Sequence, residues 1–164
     1  MLRKITLLRD QVEDWDQFPF SVPAIRPLRA LDIKSRVLCF VGENGSGKST
    51  LLEAIALAAG LGREGGSRNF SFSTRSESRD SLKRSETRID LLADALRLTY
   101  TRRQRDGFFL RAESFYNIAT YVDTLDPPGL ASYGGVSLHD QSHGESFLAL
   151  LLNRFSGGGL YLLD

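Results

Sequence analysis

The stretch Gly42-Glu43-Asn44-Gly45-Ser46-Gly47-Lys48-Ser49 matches the pattern G-x-x-x-x-G-K-[ST]. Its glycines allow the backbone to curl so that successive N–H groups point towards an anion, and a helix beginning at Lys48 adds its positive N-terminal end. The pattern predicts that residues 42–50, which include Thr50, bind the phosphates of ATP. Lys48 is expected to reach the β- and γ-phosphates, and the Ser49 hydroxyl to ligate Mg²⁺.

The flanking residues predict a strand before this loop and a helix after it. Val37-Leu38-Cys39-Phe40-Val41 is a continuous apolar run, as expected of a strand that is buried on both faces of a sheet. Residues 48–59 carry apolar side chains at helical spacing, and Gly60 follows as a stop signal. The context favours an α/β fold with a P-loop sheet. The alternative is a glycine-rich turn that binds no ligand.

The rest of the chain predicts an antiparallel strand region near the N-terminus and a helical segment over residues 114–155. Asp106-Gly107 is a hairpin turn signal between two strand-like runs. Residues 62–88 are rich in Gly, Ser and Arg and are expected to be mobile, apart from a strand at 70–73. Strands are predicted at 4–9, 28–33, 96–101, 108–112 and 160–163, and helices at 115–122 and 145–155.

Composition is ordinary for a globular protein, with a net charge of +1 and one cysteine, Cys39. A single cysteine cannot form an intrachain disulfide, and the run around it predicts that it is buried. The sequence begins without an apolar signal core and has no run of about 20 apolar residues, so a cytoplasmic location is expected. Charge is unevenly distributed: residues 63–111 hold twelve basic and seven acidic side chains, and residues 112–164 hold one and six.

Two further motifs follow the loop. Leu160-Tyr161-Leu162-Leu163 is an apolar strand that ends in Asp164, a carboxylate suited to Mg²⁺. Gln141-Ser142-His143-Gly144-Glu145 precedes a helix, with Ser142 as the cap and Gly144 allowing close approach of an anion. An ordinary helix cap is the alternative. His139 and His143 lie near each other in sequence, but no further Cys or His completes a metal site.

The order of these three motifs resembles the ATP-binding-cassette superfamily, and in particular the bacterial ABC-like AAA family ATPases. These are relatives of the heads of chromosome-maintenance and DNA-repair ATPases. The resemblance implies Mg²⁺-dependent ATP hydrolysis that drives a conformational change in a dimer. It also implies that Ser142, Gly144 and Glu145 contact the γ-phosphate of ATP held by a second copy of the chain.

The sequence also differs from the family pattern at one expected catalytic position. The family has a Gln that senses Mg²⁺ and the attacking water at the end of a strand, where this chain has Glu113. Glu113 is therefore a candidate catalytic residue, and the alternative is a surface acid paired with Arg111. The family also uses an aromatic ring to stack adenine, for which the candidates are Trp15, Phe18 and Phe20.

The family places a catalytic Glu directly after the Asp that Asp164 matches. The expectation from this departure is a single ATP-binding domain over 1–164 that lacks its C-terminal part and is inactive alone. One alternative function is a nucleotide-dependent switch that does not hydrolyse ATP. Another is a small-molecule kinase that uses Arg102, Arg103 and Arg105 as a phosphate-clamping lid. A nucleic-acid or protein partner is consistent with the basic middle segment, although no base-reading motif is visible.

Overall fold

The computed structural model describes residues 1–63, 65–67, 88–113, 115–155 and 157–164. The described chain has six strands and five α-helices. In chain order these are β1 (Leu2–Leu7), β2 (Ala30–Asp32), α1 (Lys48–Ala58), β3 (Gly66–Ser67), α2 (Arg88–Asp94), β4 (Leu96–Tyr100), β5 (Gly107–Leu110), α3 (Phe115–Val122), α4 (Pro127–Ala131), α5 (His143–Arg154) and β6 (Leu160–Leu163). None of these helices has the length and apolar character that a membrane span needs. The mixed α/β class is confirmed.

The first sheet is antiparallel, with strand order β2-β1-β4. Its inner face is apolar because side chains alternate along each strand, so that Ile5 pairs with Leu98 and Leu7 pairs with Leu96 above α1 and α2. The predicted antiparallel region near the N-terminus is therefore confirmed. β1 begins and ends two residues earlier than predicted, and β2 is confined to three residues.

The second sheet has strand order β3-β5-β6, and β5 runs parallel to β6. All four residues of β5 are buried, because helices and β6 surround it. The predicted hairpin between β4 and β5 is wrong, since these strands belong to different sheets. The strand predicted at 70–73, and most of the segment expected to be mobile, lie outside the described residues.

Asp106 anchors the turn through which the chain passes from the first sheet to the second. Its carboxylate accepts two hydrogen bonds from the Arg154 guanidinium, at 2.9 and 3.1 Å, and one from the Tyr161 hydroxyl at 2.7 Å. Burial alone would raise the pKa of Asp106, but the hydrogen bonds from Arg154 and Tyr161 outweigh it and lower the pKa from 3.8 to about 2. The turn is therefore anchored to α5 and β6, in the second sheet's half of the molecule.

The helices around the second sheet share one apolar core. Ile118 and Val122 of α3 and Leu150 of α5 are fully buried in it, and the rings of Phe115 and Phe147 stack 4.4 Å apart. The helices predicted at 115–122 and 145–155 are confirmed, the second beginning at His143. α2 and α4 were not predicted. α4 forms at the expected chain break because Asp126 caps it and proline suits the first turn of a helix.

Residues 37–41 contradict the prediction of a buried strand. They are not assigned to any strand, Cys39 is exposed, and Val37 and Val41 are 75% and 93% exposed. Residues 35–40 and 159–164 instead line a cavity of about 720 Å³, next to the β6 edge. The run thus has the composition of a buried strand but, within the described residues, no strand beside it.

The Asp106 network generates a prediction about acid stability. A carboxyl whose pKa is lower in the folded state stabilises the protein above its unfolded pKa, and the contribution is lost as the pH falls from about 4 towards 2. We expect Asp106→Asn to lower the free energy of unfolding at pH 7 by about 1–2 kcal/mol, after allowance for solvent screening. Urea denaturation at a series of pH values measures this change.

The control is Asp140→Asn, because Asp140 is exposed and its side chain forms no hydrogen bond or ion pair with the described residues. That variant should keep both the stability and the acid profile of the parent. If Asp106→Asn loses stability between pH 4 and 2 as steeply as the parent does, the network is not the source of the acid dependence.

Candidate nucleotide-binding site

The glycine loop has a backbone that only glycine adopts without strain. Gly45 and Gly47 have φ values of 78° and 100°, in the left-handed region. Gly47 is also crowded, because a Cβ built on it would overlap the Val22 side chain. The Ala24 N–H donates to the Ser46 carbonyl at 3.1 Å. The segment that precedes β2 therefore packs directly against the loop and holds it at the start of α1.

Lys48 closes the loop on itself. Its Nζ donates to the Gly42 carbonyl at 2.9 Å and to the Glu43 carbonyl at 2.7 Å, and it lies 3.5 Å from Ser46 Oγ. An ammonium group has three N–H donors and no acceptor, so phosphate oxygens can replace or join these partners. The loop therefore presents a positive charge at the N-terminus of a helix, where an anion is stabilised.

The structure brings Asp164 into the same cavity as Lys48. Both residues line the cavity next to the edge of β6. The backbone of Asp164 is held to β5, since its N–H donates to Leu110 at 2.9 Å and its carbonyl accepts from Ala112 at 3.3 Å. Ser49 is exposed on the first turn of α1 but is not among the residues that line this cavity. A hydroxyl and a carboxylate are oxygen donors that suit Mg²⁺.

Glu113 is exposed and held by one ion pair. Its side chain is 85% exposed, and its Oε2 lies 3.2 Å from Arg111 Nη2. Arg111 also donates from Nη1 to Oε2 of Glu53, at 3.1 Å. Glu53 lies on the buried face of α1, one turn after the glycine loop. The geometry agrees with the alternative of an acid paired with Arg111, and it also connects Glu113 to the helix behind the loop.

Ser142 and Glu145 form a capping box at the start of α5. The Ser142 hydroxyl donates to Glu145 Oε2 at 2.6 Å, the Ser142 N–H donates to the same oxygen at 3.0 Å, and the Glu145 N–H donates to the Ser142 hydroxyl at 3.4 Å. The hydrogen bond from the Ser142 side chain is the main cause that lowers the pKa of Glu145. All residues from 142 to 145 are exposed, and a Cβ built on Gly144 would meet no side chain within 4 Å among the described residues.

A family model described as an AAA domain matches residues 18–123, which is more than half of the chain. The matched span contains the glycine loop and Glu113 and ends before the capping box. The chain belongs to the AAA domain family. A search of curated proteins and a search of solved structures each found no significant match to it. Membership in this family indicates a nucleotide-binding function of the ATPase type.

The two histidines of this AAA domain are held by aromatic neighbours. His139 Nε2 lies 3.0 Å from the Thr120 hydroxyl, and its ring lies 4.7 Å from the ring of Tyr116. His143 contacts the rings of Phe115 and Phe147 instead. In the described ranges, no group of three or more His, Cys, Asp and Glu side chains is arranged to hold a metal ion.

The three candidate rings for adenine differ in exposure. Phe20 is buried in the core, and its ring contacts Trp15 edge to face at 6.0 Å. One face of Trp15 is covered by the Arg9 guanidinium, 3.8 Å from the ring centroid. Phe18 is 41% exposed and lies four residues before Val22, the residue that packs against Gly47. Phe18 is therefore the most exposed of the three rings and the one most accessible to a base.

Sequence reasoning missed two groups of residues that shape this site. One is the Glu53, Arg111 and Arg63 cluster, in which Glu53 is buried and paired with both arginines. The sequence contained a signal for this cluster, because Glu53 is an acid among the apolar residues of α1 and a buried carboxylate needs a partner. The other is Val22 with Ala24, whose contacts with the loop carry no sequence signal because they are long-range packing.

Gly45 and Gly47, the two loop glycines with left-handed backbone, allow a matched experiment. Gly45→Ala and Gly47→Ala both force alanine into the left-handed region, at a cost of roughly 1–2 kcal/mol. Only the second also overlaps Val22, so we expect it to lower the free energy of unfolding by a further 1–3 kcal/mol, roughly. Chemical denaturation of the two variants measures the difference.

The double variant Val22→Ala/Gly47→Ala should recover part of the additional loss, because the overlap is removed and the backbone strain stays. Equal stability of the two single variants would show that Val22 does not constrain the loop.

Proposed function

We propose that this AAA domain binds MgATP through residues 42–50 and belongs to an ATPase in which Mg²⁺-dependent hydrolysis drives a conformational change in an ATP-dependent pair of copies. The observation that carries the proposal is the position of Lys48 Nζ, 2.9 and 2.7 Å from the Gly42 and Glu43 carbonyls at the start of α1. This arrangement offers a cation, a helix N-terminus and the backbone of a curled loop to one anion.

Each predicted catalytic group has a role in this proposal. Lys48 exchanges its carbonyl partners for β- and γ-phosphate oxygens and stabilises the charge on the transferring phosphoryl group. Ser49 and Asp164 supply oxygen ligands for Mg²⁺, which neutralises phosphate charge when it is bound. Glu113 orients the attacking water, and its pairing with Arg111 sets the direction of its carboxylate.

The exposed capping box supports the pairing of two copies. Ser142 and Glu145 form hydrogen bonds with each other. The N–H groups of the next two residues, His143 and Gly144, lie at the exposed N-terminus of the helix, where they have no partner within the helix. Gly144 has no side chain to obstruct an approaching phosphate. In the proposed dimer, Ser142, Gly144 and Glu145 contact the γ-phosphate of ATP held by the glycine loop of the other copy.

Among the described residues, the kinase alternative has no observation in its favour. A kinase lid would need Arg102, Arg103 and Arg105 over the phosphates, but none of them lines the cavity that contains Lys48. A non-hydrolysing switch differs from an ATPase only in turnover. Release of inorganic phosphate that depends on Lys48 distinguishes the two.

Nucleotide binding is tested by comparing two lysines. Lys48→Ala should weaken binding of a fluorescent ATP analogue by tenfold or more, on the order of the loss of one charge-assisted contact. Lys34→Ala is the control, because Lys34 is exposed and lies outside the loop. Ser49→Ala should retain binding but lose its Mg²⁺ dependence. Unchanged affinity in the Lys48 variant would reject the loop as the site.

We also propose that Phe18, the most exposed of the three candidate rings, stacks on adenine, and the same titration tests this contact. Phe18→Ala should weaken the binding of ATP and leave the binding of inorganic triphosphate unchanged, because only ATP carries a base. Equal effects on both ligands would assign Phe18 to the structure of the loop instead of to base recognition.

Pairing is tested with a charge at the capping box. Ser142→Arg should leave nucleotide binding intact and abolish the ATP-dependent increase in mass measured by light scattering. Ser132→Arg is the control, since Ser132 is exposed and lies outside the capping box, at the end of α4. An ATP-dependent mass increase in the Ser142 variant would reject the proposed interface.

A further inference from the structure

The outer edge of β6 has no strand beside it in the part of the chain that the structure describes. β6 is the last strand in the order β3-β5-β6. The N–H groups of Leu160 and Asp164 donate to the carbonyls of Asp106 and Leu110, on the side of β5. Backbone groups alternate in direction along a strand, so the N–H and C=O groups of Leu163 point to the opposite edge. Such an edge is a template on which a further strand can pair.

The apolar run at residues 37–41 lies across the cavity from this edge. Residues 35–40 and 159–164 line the same cavity of about 720 Å³. A strand laid along the four residues of β6 would be about 13 Å long, ~4.8 Å wide and ~10 Å deep, which is roughly 600 Å³. The cavity therefore has about the volume of one strand, and a shift of the run by ~4.8 Å would bring it to pairing distance.

The run has the composition of a strand but exposes apolar surface where it lies. Val37, Leu38 and Val41 are 75%, 43% and 93% exposed, and valine is among the residues that most favour strands. Phe40 is half-buried and packs against the core cluster that Leu160 and Leu162 of β6 also contact. Pairing with β6 would therefore satisfy backbone groups and remove apolar side chains from water.

The run is held only at its two ends. The Ile33 N–H donates to the Arg3 carbonyl at 2.7 Å, and the next backbone-to-backbone hydrogen bond along the chain runs from the Ser46 N–H to the Glu43 carbonyl at 3.2 Å. Residues 34–41 form no backbone-to-backbone hydrogen bond with the described residues. A segment with few backbone hydrogen bonds rearranges at low cost, so the run can shift while the core stays intact.

Lys48 holds the end of the run that precedes the glycine loop. Its Nζ donates to the Gly42 carbonyl at 2.9 Å and to the Glu43 carbonyl at 2.7 Å. These two residues directly follow Val41, and Lys48 itself is fixed in the first turn of α1. An ammonium group has three donors, so phosphate oxygens that take them over release both carbonyls. Occupation of the loop by phosphate would thus free the end of the run.

We propose that residues 37–41 are a strap, which Lys48 holds away from β6, and that the strap pairs with the outer edge of β6 when Lys48 is released from the Gly42 and Glu43 carbonyls. The step in which MgATP releases Lys48 rests on the proposed function, whereas the hold that Lys48 exerts does not. Docking of the strap extends the second sheet from three strands to four, beside Asp164.

The side-chain alternation of a strand indicates which residues meet in the docked strap. Phe40 faces the core cluster that Leu160 and Leu162 contact, so Cys39 lies on the opposite face, together with Leu163. Cys39 is the one cysteine of the chain and is exposed, and Leu163 is 51% exposed. A cysteine introduced at position 163 therefore reports on docking without a competing thiol.

The test is the rate at which Leu163→Cys forms an intramolecular disulfide with Cys39 under a mild oxidant such as diamide, at low protein concentration. Neighbouring strands lie about 5 Å apart, which suits a disulfide, whereas a gap one strand wide exceeds the limit of about 7 Å between Cα atoms. Excess MgATP should raise this rate by about tenfold, on the order of one charge-assisted hydrogen bond lost from the detached state.

Leu152→Cys is the control for this cross-link. Leu152 is 72% exposed on α5 and does not line the cavity, so its thiol should form no disulfide with Cys39 that depends on MgATP. Equal cross-linking in the control and in Leu163→Cys would show random collision of thiols and would overturn the strap.

The hold by Lys48 is tested without nucleotide. Lys48→Ala, combined with Leu163→Cys, should cross-link about tenfold faster than Leu163→Cys alone in the absence of MgATP, because both carbonyls are already released. If this acceleration occurs and MgATP has no effect on Leu163→Cys, the strap stands and nucleotide binding at the loop is rejected. An unchanged rate in the Lys48→Ala background would overturn the strap, even where a fluorescent ATP analogue binds normally.

Amide hydrogen exchange provides a second measurement, which needs no introduced thiol. In Lys48→Ala, the amides of residues 37–41 and 160–163 should both exchange more slowly than in the parent, since the two segments pair. Faster exchange throughout the chain would indicate unfolding of the variant and not docking. Unchanged or faster exchange in the two segments would overturn the proposal.

Discussion

The carboxylate of Asp106, with its hydrogen bonds from Arg154 and Tyr161, determines how the two halves of the molecule are connected. It lies where the chain leaves the first sheet, and its partners belong to the last turn of α5 and to β6. Asp106 is partly buried, and the hydrogen bonds from these partners offset the desolvation of its carboxylate. β5 therefore enters the second sheet, where β6 pairs with it in parallel and holds Asp164 at its end.

The Asp106 network lies between three surfaces of the protein, namely the cavity that contains Lys48, the capping box and the exposed arginines of the turn. β6 brings Asp164 to the cavity that also contains Lys48, while α5 starts at the exposed capping box and ends at Arg154. In the same turn, Arg102, Arg103 and Arg105 are exposed.

The helix that follows the glycine loop, α1, forms a second connection, between the loop and the residues at the end of β5. α1 begins at Lys48, and on its buried side Glu53 pairs with Arg111 at the end of β5. Arg111 also holds Glu113, so a carboxylate in the core and one in solvent share a single guanidinium.

The sequence by itself determined the elements whose local signals are strong. The glycines and Lys48 predicted a loop that begins a helix, the apolar spacing of α3 and α5 predicted their ends to within two residues, and Ser142 with Glu145 predicted a helix start. These signals succeed because glycine conformation, helical periodicity and capping depend on residues a few positions apart.

Only the tertiary structure decided what each element meets. Residues 37–41 have the composition of a buried strand but are exposed, and Asp106-Gly107 has the composition of a hairpin turn but joins two sheets. In both cases the outcome depends on partners far along the chain, namely the strand beside an apolar run and the arginine that binds a carboxylate. Local propensity cannot report such partners, because burial and ion pairing are properties of the folded chain as a whole.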